Sequence, residues 1–235
     1  MPLLNWIKDQ DIESAVIHLL LKAKEAKHEA ENNFGKNVID PFSAVFETAG
    51  FEIDFESWKK SETNRQAQKT LQNHIGDFHQ KILGSVDGWQ NMKTGQEVDL
   101  FSKSKKIIAE VKNKYNTISG GKLADLYTTL SNLVTPKSSI YKNFTAYYVA
   151  IIPKSPLRYD KEFSPSDKSK GQKCEKNKLI RETDGASFYS LATGQDDALK
   201  NLFTILPGVI YKCSDGKYVI DEPQKLIDFF NLAFV

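Results

Sequence analysis

The sequence predicts an α/β fold, in which a mixed central β-sheet is flanked by helices and preceded by a helical N-terminal region. Three observations carry this. Apolar residues recur at helical spacing through the first third of the chain. A glycine-rich polar stretch, "GSVDGWQNMKTGQ", then changes the texture at residues 84–96. Beyond it the order reads strand, turn, strand, helix, strand, which is the order of an α/β core. Residues 1–83 are assigned to the helical region and 84–235 to the core, within one compact domain overall.

The first helix is expected from Asp11 to about Asn32, where Ile12, Val16, Leu19, Leu20, Ala23 and Ala26 make one face and lysines and glutamates the other. In "DPFSAVFETAG" Asp40 can cap, Pro41 suits a first helical turn and Gly50 suits the exit. A third helix is expected over Phe55–Leu83, with a break near Gly76. "EVDLFSKSKKIIAEVKNK", residues 97–114, reads as two strands and a polar turn. "SGGKLADLYTTLSNLV" reads as a helix, and "FTAYYVAIIP" as a buried strand rich in β-branched and aromatic residues. Residues 154–181 read as a long polar loop with seven lysines and two arginines against four acids. A loop of that length in a compact domain is usually functional or disordered, and about 154–194 is taken as the recognition segment. "GASFYSLATG" is expected as a short helix or strand, "DDALKNLFTILPGVI" as a helix, "GKYVI" as a last strand and "EPQKLIDFFNLAF" as a closing helix.

Composition bounds the function only loosely. The 235 residues are 40% hydrophobic and 26% charged, with a net charge of +2. The total does not announce a polyanionic partner, so the distribution of charge matters more. Cys174 and Cys213 show neither metal-ligand spacing nor a disulfide framework. The N-terminus lacks a secretory pattern, and no apolar run approaches the roughly 20 residues that span a bilayer. A cytoplasmic location is expected. His74 and His79 lie five apart, poor geometry for a shared metal on a helix, and are read as core or surface residues. Phe144, Tyr147, Tyr148, Phe188 and Tyr189 are read as core.

The hairpin at 97–114 carries the chemistry. Side chains alternate faces along a strand. Val98 and Leu100 are expected on one face, with Glu97 and Asp99 on the other. In the second strand Ile108, Glu110 and Lys112 share a face. Asp99, Glu110 and Lys112 can therefore meet. Two carboxylates held close repel, and burying them costs several kcal/mol each unless a cation compensates. Oxygen ligands without His or Cys favour a hard ion such as Mg²⁺. A lysine beside that ion can orient an attacking water or stabilise charge on a phosphate oxygen. The pattern, acid, spacer, then acid-x-lysine, is the one written PD-(D/E)xK. The competing reading is an exposed hairpin edge with a Glu110–Lys112 pair. The apolar run "IIAEVK" and the helix that follows favour the site.

"HIGDFHQKILGSVDGW" from His74, "EVDLF", "KKIIAEVKNKYNT" and "LIRETDGASFYSLATG" from Leu179 together resemble a type II restriction endonuclease, of the PD-(D/E)xK family whose members cut GGNCC-type sites. The resemblance covers His74 to about Gly194. It implies Mg²⁺-dependent, sequence-specific cleavage of double-stranded DNA by a bacterial homodimer, leaving 5′-phosphate ends, with a cognate DNA methyltransferase as functional partner. Asp99, Glu110 and Lys112 match its catalytic motif, with Asp99 and Glu110 as metal ligands. Val98 stands where the motif has proline, and Glu97 is a further candidate ligand. A two-fold target is matched by a two-fold protein. Lys103, Lys105, Lys106 and Lys114 are expected at phosphates, and Tyr115 and Asn116 along the DNA groove. Arginine or lysine donating to guanine reads G·C pairs. Arg158, Lys168, Lys173 and Arg181 are the expected readers; only three arginines occur in the chain. A repair or junction-resolving nuclease on the same core, a non-cleaving DNA-binding protein and a plain interaction module are the alternatives.

Overall fold

The first third is helical, as its periodicity predicts. A computed structural model describes residues 1–92 and 95–234. Helix α1 covers Asp9–Asn32, a short 3-10 turn covers Phe34–Lys36, α2 covers Pro41–Gly50 and α3 covers Phe55–Gly84. Asp40 caps α2 by accepting from the Phe42 and Ser43 amides. α3 runs unbroken through Gly76. A mid-helix glycine costs only about 1 kcal/mol against alanine, and burial of Phe78, Ile82 and Leu83 just beyond it outweighs that. The expected loop at 84–96 contains a short strand, β1 at Gln90–Asn91; its residues 93 and 94 lie outside the described residues.

Strands β2 (Leu100–Ser102) and β3 (Ile107–Lys114) form the expected hairpin, followed by helix α4 (Gly120–Val134) and strand β4 (Thr145–Ile152). The long loop expected at 154–181 is the main correction. It contains β5 (Asp160–Glu162), β6 (Ser166–Asp167), β7 (Gln172–Lys173) and the start of β8 (Ile180–Asp184). Partner strands supply the ladder bonds there, so polar residues of low strand propensity adopt extended backbone. Helices α5 (Gly185–Thr193), α6 (Ala198–Cys213) and α7 (Pro223–Ala233) complete the chain. "GKYVI" is not a strand, and Tyr218 and Val219 are exposed.

The main sheet has the order β1-β2-β3-β4-β8-β5, and β6 and β7 form a separate hairpin. β1–β2, β2–β3 and β5–β8 are antiparallel, whereas β3–β4 and β4–β8 are parallel. The sheet is therefore mixed, with helices on both faces. On one face Ile108, Ala146, Tyr148 and Ile180 bury against Leu130, Leu133 and Val134 of α4. On the other, Tyr147 packs edge-on to Phe188 of α5. Two glycines permit close approach. A Cβ on Gly185 would stand 2.5 Å from the Ile151 carbonyl oxygen, and one on Gly84 2.6 Å from the Asn91 amide nitrogen.

Two compact units divide the chain: Met1–Val16 with Gly76–Val235, and Ile17–Ile75. Residues 76–83 thus group with the sheet. Among the described residues, both cysteines are free and no helix is long and apolar enough to cross a membrane.

Candidate active site

Strand pairing brings the three hairpin residues together. Leu100 opposes Ala109 and Phe101 opposes Ile108. Asp99 stands at a bend one residue before β2: its N–H donates at 3.0 Å to the carbonyl of Ala109, which Leu100 already opposes, and its own carbonyl accepts from the Met92 N–H at 2.8 Å. Asp99 and Leu100 thus both face Ala109, a bulge that lets the Asp99 side chain reach along β3. Lys112 Nζ lies 2.6 Å from Glu110 Oε1 and 3.7 Å from Asp99 Oδ2. Asp99 Oδ2 also accepts from the Val111 N–H at 2.7 Å. The carboxylates converge within reach of one ammonium, so they fit one cation.

Burial is the main reason that both carboxyls sit above their usual pKa range. For Glu110 the Asp99 charge adds to it. For Asp99 the charge of Asp77 on α3 adds, while Lys112 and the Val111 amide pull the other way. Burial works against the Lys112 ammonium too, but the charges of Glu110 and Asp99 outweigh it and leave its pKa raised. The trio is a compact, partly desolvated site with net negative charge. Among the described residues, no group of three or more His, Cys, Asp or Glu side chains is placed to hold a metal. A hard divalent ion characteristically takes one or two carboxylates and completes its shell with water and phosphate oxygens.

Val98 departs from the expected alternation. It is buried with Ile108, Leu130 and Val134, on the α4 side, while Leu100 is buried within the sheet. The chain bends before β2. Glu97, the further candidate ligand, is exposed and lines a cleft with Thr129, Asn132 and Tyr141. Its charge is not among the influences on Asp99 or Glu110. Asp77 is the carboxylate that spacing did not single out. It enters through the packing of α3 on β3, where Gln80 Nε2 donates to Val111 O at 3.4 Å, and nothing in local spacing signals that contact. His79 is a core residue, as expected. It bonds the Tyr189 hydroxyl at 2.9 Å, and burial pushes its imidazole down to about 4.

The expected DNA-contacting residues fall into two groups. Lys114 follows Glu110 and Lys112 at alternate positions of β3, and Asn116 lies exposed in the turn after it. Lys168 and Lys173 are exposed on the β6–β7 hairpin, which packs against α4, the helix on the Glu110 face. Arg181 differs. It pairs in register with Tyr147, whereas Glu110 and Glu182 pair with Tyr148. Alternation therefore sets Arg181 on the opposite face of the sheet. Its Nε is 2.6 Å from Asp160 Oδ1, which ties β8 to β5. Arg158 donates to Ala186 O at 3.1 Å and to Ser190 Oγ at 2.5 Å, on α5. Both arginines have structural partners. Arg181→Ala is expected to lower stability by about 1 kcal/mol and to leave the choice of cleavage site unchanged; melting curves and digest patterns check both. Lys103, Lys105 and Lys106 sit in the hairpin turn. Lys106 is about 13 Å along the strand from Glu110, and Lys105 donates to Leu191 O.

A mixed sheet whose antiparallel hairpin leads into a parallel pair, with Asp, Glu and Lys meeting on one face, defines a nuclease core of the restriction-endonuclease type. Comparison with known proteins narrows the class. The family model described as Eco47II restriction endonuclease matches residues 4–214. The chain is 49% identical over 239 residues to the type II restriction enzyme Eco47II of Escherichia coli, covering 100% of each. It is 28% identical over 208 residues to the type II restriction enzyme Sau96I of Staphylococcus aureus, covering 87% of this chain and 78% of that one. The chain belongs to the Eco47II restriction endonuclease family. It is a type II restriction endonuclease, a site-specific deoxyribonuclease.

Proposed function

We propose that the chain cuts both strands of a short palindromic site of GGNCC type. It acts as a homodimer with Mg²⁺ and leaves 5′-phosphate and 3′-hydroxyl ends. The observation that carries this is the convergence of Asp99, Glu110 and Lys112. In this reading Asp99 and Glu110 hold the ion, which supplies positive charge to the scissile phosphate and acidity to a water. The Val111 N–H fixes the orientation of the Asp99 carboxylate. Lys112 leaves its bridge to the carboxylates, orients the attacking water and steadies charge building on phosphate oxygen. Lys114, Asn116 and the β6–β7 lysines contact the duplex, with backbone phosphates setting register. A methyltransferase that protects the same site is the functional partner, and the cytoplasm of a bacterium is the working compartment.

Digestion of unmethylated plasmid and phage DNA tests this. With Mg²⁺, discrete fragments that map to GGNCC sites and can be ligated are expected. With EDTA the DNA stays intact. A smear in Mg²⁺ overturns site specificity, and no cutting in any divalent ion overturns the assignment of the site.

A further inference from the structure

The unit formed by residues 17–75 turns its apolar side chains outward. In α2, Phe42, Val45, Phe46 and Ala49 follow the spacing that builds one helix face. A stripe of this kind normally faces a core. Here Phe42 is 75% exposed, Val45 65% and Phe46 74%, and Ala49 is exposed as well. The half-buried side carries the polar residues. Glu47 accepts from the Trp58 indole N–H at 3.1 Å and from the Ser43 hydroxyl at 2.5 Å. The helix is amphipathic and sits with its apolar face to solvent. Next to it in sequence, Val38, Phe51 and Phe55 are exposed too. Within the same unit, the fully buried apolar side chains are Ala26, Ala30 and Trp58.

We infer that this face is where two copies of the chain meet, α2 of one against α2 of the other across a two-fold axis. The inference rests on the homodimer reading above and names its surface. Area is the first argument. At roughly 200 Å² for a whole phenylalanine, the α2 stripe alone leaves roughly 450 Å² of apolar surface, and the exposed Val38, Phe51 and Phe55, next to it in sequence, bring the segment's total to roughly 800 Å². A standard interface buries about 800 Å² per partner, and the largest apolar patch of an ordinary monomer is about 300–600 Å². Chemistry is the second. A two-fold contact needs a patch that complements itself, and an uncharged apolar stripe does. Charge then decides against the duplex as the occupant. Residues 37–58 hold five acids, Asp40, Glu47, Glu52, Asp54 and Glu56, and no lysine or arginine. Three of these are used internally. Asp40 and Asp54 accept from helix-start amides and Glu47 bonds Trp58, so little charge faces an approaching copy.

Sedimentation equilibrium on the full chain tests this, together with circular dichroism and plasmid digestion. The wild type is expected at twice the chain mass, in low and in high salt. The Phe42→Asp/Phe46→Asp variant is expected at the mass of one chain with its helical signal retained, its self-association weakened at least 100-fold. A second variant covers the case in which the aspartates prevent folding. Val45→Cys, with Cys174→Ser and Cys213→Ser, is expected to give a covalent dimer with a short bis-maleimide; no such product overturns the inference. A wild-type monomer at cleaving concentrations also overturns it, as does a double aspartate variant that stays dimeric. If that dimeric variant loses DNA binding, the face belongs to DNA. Discrete wild-type fragments uphold the nuclease reading in every one of these cases, so the two failures are separable.

Discussion

Lys112→Ala is expected to reduce plasmid cleavage by at least about 10²-fold while leaving the helical signal and DNA binding in place. Lys112 is the group at the site that can act on the water without holding the ion. Its ammonium lies 2.6 Å from Glu110 and 3.7 Å from Asp99, so it stands where a nucleophile beside a bound ion would pass. DNA binding measured in Ca²⁺, which occupies oxygen sites, separates binding from chemistry. Asp99→Asn should weaken both ion-dependent binding and cleavage, whereas Lys112→Ala should lose cleavage alone. Wild-type cutting by a folded Lys112→Ala protein sinks the assigned role. The same substitution should destabilise the metal-free protein by about 1–3 kcal/mol, because it leaves two partly buried carboxylates without their counter-charge.

Glu110→Gln is expected to have opposite effects on activity and stability. Cleavage falls by at least about 10²-fold, because one of the two carboxylates proposed to hold the ion is gone. Metal-free stability at neutral pH rises, by about 1 kcal/mol. The sign follows from linkage. Burial and the Asp99 charge raise the folded-state pKa of Glu110 above its ordinary 4.5. Its ionised form is therefore disfavoured in the fold relative to the unfolded chain. That penalty is absent below about pH 4.5, where the side chain is neutral in both states, and is fully present above the raised pKa. The gain from glutamine should appear in melting curves at neutral pH and vanish near pH 4. A loss of stability at neutral pH would show that the Glu110–Lys112 bridge outweighs the repulsion.

The meeting of Asp99, Glu110 and Lys112 was legible because side chains alternate faces along a strand. Glu110 and Lys112 share a face of β3, and the hairpin brings the Asp99 side chain within 3.7 Å of the Lys112 ammonium. The limits of that rule are equally local. Val98 broke it because the chain bends before β2 to bury this side chain under α4, a packing choice without a local signal. The strands β5 to β8 escaped for another reason. Residues such as Asp160, Lys161 and Glu162 have poor strand propensity, and pairing with β8 creates the strand. "GKYVI" failed in the converse way, with good propensity but no strand pairing among the described residues. Scarcity drew attention to Arg158 and Arg181 in the sequence; that Ala186 O and Ser190 Oγ hold the one and Asp160 the other has no local signal. Asp77 needed the three-dimensional approach of α3 to β3.

The strand order also bears on when the enzyme becomes dangerous to its host. β3 pairs with β4 across a gap of 38 residues, Ile107 to Thr145, and β4 pairs with β8 across 34, Ala146 to Ile180. Such non-local parallel pairing is slow to form, because loop closure precedes the stabilising contacts. During synthesis at about 5–20 residues per second, the hairpin that carries Asp99, Glu110 and Lys112 emerges well before the strands that flank it. β8 joins β4 to β5, so the sheet cannot close until Asp184 has left the ribosome. A nascent chain holds all three side chains of the proposed site long before it holds a cutting edge.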